Sequence, residues 1–109
     1  MPGDTVPHMP EKEFIRWLAC GQIFAWRNIV AGRTASFRVV LLCDVAGQLH
    51  CVTRYDTAHG FAHRDVLGLV EGLRGKLPCP TLTFNEAFDY ALRDIAQNAK
   101  NYLADFLAH

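Results

Sequence analysis

From Thr83 onward the chain carries apolar residues at the spacing of one helix face, and this segment constrains the fold more than any other. Phe84, Ala87, Phe88, Ala91, Leu92, Ile95, Ala99, Tyr102, Leu103 and Phe106 fall on a single stripe. Asn85, Asp89, Arg93, Gln97, Lys100, Asn101 and Asp105 cover the remainder. Thr83 and Glu86 stand three apart at its start, the Thr-x-x-Glu pattern of a capping box, in which hydroxyl and carboxylate each accept from an orphan amide. The spacing predicts a helix over 83–108. Its apolar stripe is too wide to stand alone in water and needs a second layer to cover it.

The chain supplies that layer as strands. Gln22 to Val30 is aromatic and β-branched, Phe37 to Asp44 alternates around an apolar centre, and Gln48 to Asp56 follows after Val45-Ala46-Gly47. Along the first hairpin arm Phe37, Val39, Leu41 and Cys43 share a face. Along the second, strict alternation puts Leu49, Cys51, Thr53 and Tyr55 on one side and His50, Val52, Arg54 and Asp56 on the other. Phe61 to Leu67 reads as a fourth strand. Residues 68 to 82, with Gly68, Gly72, Gly75, Pro78 and Pro80, read as an irregular connection. Residues 1 to 9 read as a flexible lead-in. Pro10 followed by Phe14, Trp17 and Leu18 at helical spacing predicts a short helix near 10–20, stopped by Gly21. Trp17 and Trp26 are expected in the core. The predicted class is α+β: a three- or four-stranded antiparallel sheet, a long C-terminal helix on one face and a short N-terminal helix, with 1–109 as one domain.

Charge and cysteine usage narrow the function classes. Eleven basic and eleven acidic residues cancel, so binding by bulk phosphate neutralisation is not expected. Residues 1 to 38 carry five Lys/Arg against three acids, and the last 29 carry two against four. Cys20, Cys43, Cys51 and Cys79 form no Cys-x-x-Cys pair and are expected as thiols in a cytoplasmic protein. No apolar run reaches the ~20 residues that span a bilayer, so no membrane role is expected.

Chemistry concentrates between Tyr55 and Asp65. These eleven residues hold two carboxylates, two imidazoles, a guanidinium and a phenol around a turn at Gly60. If the turn folds its flanks together, Asp56 and Asp65 meet one imidazole and fix its tautomer. His59 and His63 are then candidate acid and base for attack of a ribose 2′-hydroxyl on the next phosphate. Arg64 is the candidate phosphate clamp. Tyr55 and Phe61 are candidate stacking surfaces for an unpaired base, with Arg54 beside them as a further substrate contact. This chemistry calls for no cofactor and no metal. A separate reading makes His59 and His63, with Asp56 or Asp65, a His₂-carboxylate metal set. The ordinary reading treats Asp56, Thr57 and Gly60 as turn formers and His63-Arg64-Asp65 as an edge ion pair. His63-Arg64-Asp65 also spells a kinase catalytic loop, but no glycine-rich loop or Asp-Phe-Gly accompanies it.

The segment RYDTAHGFAHRDVL, Arg54 to Leu67, resembles a family of short bacterial proteins that share a Tyr-Asp strand end, an Ala-His-Gly turn and His-Arg-Asp. The resemblance covers roughly residues 22 to 108, and is more distantly similar to the TumE toxin family. It implies a sheet-plus-helix domain and a toxin–antitoxin or defence context, and no settled activity; RNA is the substrate expected of the His/Asp/Arg cluster, and an antitoxin or other protein the expected partner. The competing expectation is a non-catalytic adaptor that docks a partner through the Tyr55–Asp65 turn or the C-terminal helix, with a homodimer as one form.

Overall fold

The computed structural model describes residues 11–79 and 82–109. Among them, six strands form one antiparallel sheet in sequence order: β1 (Glu11–Leu18), β2 (Gly21–Val30), β3 (Arg33–Val45), β4 (Gln48–Asp56), β5 (His63–Gly68) and β6 (Gly72–Pro78). The helix α1 (Phe84–Ala108) follows and lies on one face, chiefly over β3. The class matches the sequence reading, but the sheet is larger than three or four strands.

Two-residue turns set the meander. Ala31-Gly32 and Ala46-Gly47 both take positive φ at each position (52° and 76°, 52° and 86°), the mirror-image turns whose twist suits a hairpin. Asp44 accepts from the Gly47 amide at 3.0 Å and closes the second of them.

β1 corrects the expected helix at 10–20. Glu11 to Leu18 pairs residue for residue with Asn28 to Gly21. Alternation sends Phe14, Arg16 and Leu18 to the helix side and Glu13, Ile15 and Trp17 to the other. The helical spacing of Phe14, Trp17 and Leu18 therefore never becomes one stripe, because β2 offers an edge for pairing. Gly21 does not stop a helix either. A Cβ there would lie 2.4 Å from the Leu42 carbonyl oxygen, so glycine lets the backbones of β2 and β3 approach. Trp17 is 74% exposed rather than core. The lead-in at 1–9 and the helix-starting role of Pro10 lie outside the described residues.

β6 corrects the irregular connection at 68–82. Its glycines still form a strand because β5 presents an edge, with register from His63↔Pro78 to Gly68↔Gly72. The expected fourth strand at 61–67 is β5, beginning two residues later.

The core lies between sheet and helix. Ile23, Ala25, Phe37, Val39, Leu41, Cys43, Ala91 and Ile95 are at most 1% exposed. Each large apolar side chain buried there contributes roughly 1.5–3 kcal/mol. Phe37 meets Phe84 and Phe88 edge-on at 6.3 and 5.6 Å. Both ends of α1 are fixed. Thr83 Oγ1 accepts from the Glu86 amide at 3.1 Å, and Glu86 Oε1 accepts from the Thr83 amide at 2.9 Å. At the other end the Leu69 and Glu71 amides donate to the Phe106 and His109 carbonyls.

A bulge alters β4. Between Leu41 and Leu42 the register steps from Thr53 to Cys51, leaving Val52 as the extra residue. Below it the faces exchange: His50 reaches Phe106 of the helix at 5.7 Å, while Cys51 joins the side of Arg54 and Arg38. The strict alternation expected for 48–56 holds only from Thr53 to Asp56.

Candidate functional site

Tyr55 to Asp65 folds back on itself through a 3-10 turn at Ala58–Gly60. Pairing puts Asp56 opposite His63, Tyr55 opposite Arg64 and Arg54 opposite Asp65. Period two then splits the segment between the two faces of the sheet.

On the face away from the helix, His63 is wholly buried between two acids. Its Nε2 lies 3.0 Å from Asp56 Oδ1 and 3.4 Å from Asp65 Oδ1. Asp65, 1% exposed, takes Arg54 Nε at 2.6 Å on Oδ2 and Lys76 Nζ at 2.8 Å on Oδ1. Burial pushes the Asp65 carboxyl up, but the hydrogen bonds from Lys76 and Arg54 outweigh it and hold it below its ordinary value. The same bond to Asp65 raises the Arg54 guanidinium. Asp56 Oδ1 also accepts from the Ala58 amide at 3.0 Å, and His63 Nδ1 lies 3.1 Å from the Phe61 carbonyl oxygen. The Phe61 ring sits over His63 at 5.1 Å. Asp56, His63 and Asp65 each offer a ligand atom, all within 4.8 Å of one another.

On the helix face, Tyr55 donates to Asp94 Oδ2 at 2.7 Å, and Tyr102 donates to the same oxygen. Asn98 donates to Asp94 Oδ1 at 2.9 Å. Burial pushes both phenols up, and the bonds to Asp94 push them further, Tyr102 to about 12. Arg64 donates to Thr53 Oγ1 at 3.0 Å and lies over the Tyr102 ring at 4.6 Å.

The structure therefore brings together Asp56, His63, Asp65 and Arg54, adds Lys76, and separates the rest. Arg64 is on the opposite face from His63. His59 sits at the exposed tip of the turn with φ 68° and is not in the cluster. Tyr55 is 3% exposed and tied to Asp94, so its ring presents no surface for a base. Phe61, 40% exposed, is the one proposed stacking residue at the surface. Lys76 was hidden by the glycine-rich stretch around it. Asp94 was legible in principle, since Asp94, Asn98 and Tyr102 are four apart and make a polar stripe on an otherwise apolar helix side.

Beside Asp56 the uncovered face carries a groove of 460 Å³, lined by Phe24, Trp26, Arg38, Asp56 and the Thr57-Ala58 start of the turn. Ile15 and Trp17 extend its apolar side to the sheet edge, 53% and 74% exposed.

Residues 9–109 match the family described as Domain of unknown function (DUF7718). The chain belongs to the DUF7718 family. No curated protein and no solved structure matches it. The match begins before β1, so the family unit takes in that strand, which the resemblance drawn over 22–108 left out. Its description names no activity, and it does not confirm the TumE likeness or the Tyr-Asp…His-Arg-Asp signature. No helix among the described residues is long and apolar enough to cross a membrane.

Proposed function

We propose that this DUF7718 domain is a non-catalytic docking module, and that its partner, a protein, seats on the uncovered face of the sheet. The observation that carries this reading is the contrast on that face. The ionisable cluster is buried and internally paired, while aromatic and cationic side chains beside it are open. His63 has no exposed surface, and the acid–base partner required of His59 is not near it. Arg64, the expected phosphate clamp, lies over the Tyr102 ring on the opposite face from His63.

What remains accessible is Ile15 and Trp17 on β1, the Phe24–Trp26 groove, and Arg38 and Lys76 further across. Aromatic anchors flanked by Arg are the composition of protein-binding hot spots. A neutral chain lacks the broad basic field of a nucleic-acid binder. The partner best suited to this face is an apolar protein segment flanked by carboxylates, which Arg38 and Lys76 would meet at the rim.

The test uses the purified full chain and the proteins encoded beside it, mixed pairwise and followed by calorimetry. One partner should bind, and Trp17→Ala combined with Arg38→Glu should weaken it at least tenfold, while Arg93→Glu on the exposed helix side leaves it unchanged. Equal binding by the first variant removes the proposed face. Cleavage of added RNA that disappears in His63→Gln would restore the catalytic reading in its place.

A further inference from the structure

His63 is oriented with Nε2 aimed between two carboxylates. A carbonyl oxygen only accepts, so the 3.1 Å contact between Nδ1 and the Phe61 oxygen puts a proton on Nδ1. That turns Nε2 toward Asp56 Oδ1 at 3.0 Å and Asp65 Oδ1 at 3.4 Å. In a neutral ring with its proton on Nδ1, Nε2 and the two carboxylate oxygens are all acceptors. Such a group is stable only around a proton or a cation. Lys76 Nζ supplies a cation at one side, 2.8 Å from Asp65 Oδ1 and 3.4 Å from Nε2.

The two ring-to-carboxylate distances, 3.0 and 3.4 Å, also fit something smaller and more central. Ligand atoms held about 2.1 Å from a first-row ion lie roughly 3.0–3.5 Å apart across a right angle or a tetrahedral edge. Two of the ligands have their own support behind them, the Phe61 carbonyl for His63 and Arg54 on the outer oxygen of Asp65, while the Ala58 amide holds Asp56 on the ligand oxygen itself. A carbonyl on the far nitrogen of a ligating histidine and hydrogen bonds behind the carboxylates are how proteins orient metal ligands. The side chains of Asp56, His63 and Asp65 are 9%, 0% and 1% exposed, whereas that of Lys76 is 37% exposed on edge strand β6. Lys76 can leave for water without unpacking the core.

We propose that Asp56, His63 and Asp65 form a site for a divalent first-row transition ion, and that the Lys76 ammonium is the resident cation which the ion displaces. One imidazole and two carboxylates suit zinc or manganese better than the all-oxygen ions magnesium and calcium. His59, the second histidine of the sequence-based metal set, takes no part. The site shares Asp56 and Lys76 with the docking face, but its test reads bound metal rather than bound partner.

Metal-stripped full-length protein titrated with Zn²⁺ by calorimetry should bind one equivalent, and thermal melting should rise with added ion. Lys76→Met should tighten binding at least tenfold, because the competing charge is gone. Asp56→Asn and His63→Gln should each weaken it at least tenfold, with circular dichroism showing that they are folded. Should either fail to fold, the Lys76→Met comparison decides alone, since that residue is half-exposed on an edge. Co²⁺ in place of zinc should give a spectrum without a thiolate charge-transfer band, which separates this site from the cysteines. Absence of binding in both the parent and Lys76→Met overturns the proposal. So does binding that Asp56→Asn leaves unchanged, or a thiolate band with cobalt.

Discussion

Tyr55 and Arg64 face the helix, and their immediate neighbours Asp56, His63 and Asp65 face the other way on the same two strands. The two clusters answer burial differently. Toward the helix, one carboxylate, Asp94, is satisfied by two phenols and an amide, and the nearby guanidinium rests on an aromatic ring. Away from the helix, two carboxylates flank a histidine ring, and an arginine and a lysine hold one of them. The first arrangement uses dipoles and a π-face. The second uses whole charges, with its arginine and lysine 36% and 37% exposed. A dense run of reactive residues is thus divided by the pleat into two networks, and the density itself does not make an active centre.

The largest expected effect comes from breaking the charged side. Asp65→Ala leaves Arg54 and Lys76 without their acceptor, and the cost should be about 3 kcal/mol, the low end for opening a buried ion pair because both cations can turn to solvent. Urea unfolding would measure it, and a loss under 1 kcal/mol would mean that the cluster is solvated in practice. On the helix side, Tyr55→Phe removes one donor to a carboxylate and should cost roughly 1.5–3 kcal/mol. If it instead costs more than Asp65→Ala, the contrast drawn between the faces is reversed.

Capping the covering helix comes next. Thr83→Ala should lower stability by about 1 kcal/mol. The hydrogen bonds from the Thr83 backbone and side chain hold the Glu86 carboxyl below its ordinary value. A depressed carboxyl contributes stability that is present above its unfolded-state pKa and lost as pH falls through the folded one. The gap in melting temperature between parent and Glu86→Ala should therefore close on acidification below about pH 4, and a gap that persists would count against the capping box. The smallest effect is Lys76→Met without metal, expected to cost at most about 1 kcal/mol because the lysine is half-exposed.

The sequence reading reached the parts of the molecule governed by local rules. Thr83 and Glu86 announced the cap that the helix makes, and the face shared by Phe37, Val39, Leu41 and Cys43 is the buried one. The meeting of Asp56 and Asp65 at one imidazole also follows from a short turn between two strands. What it missed depended on an edge supplied from elsewhere. Glu11 to Leu18 and Gly72 to Pro78 have compositions that suit other conformations, and each is a strand because a neighbour offered unpaired backbone groups. The bulge at Val52 likewise obeys the packing of His50 and Cys51 rather than any local signal.

By itself the sequence determined the capped helix, its apolar stripe, the hairpin turns and the crowding of ionisable groups between Tyr55 and Asp65, because each depends on residues within a few positions of one another. Only the tertiary structure decided which distant groups join them. Lys76 comes from a strand eleven residues downstream of Asp65 and Asp94 from the helix, and the side of the sheet that each neighbour occupies is fixed by where the helix lies.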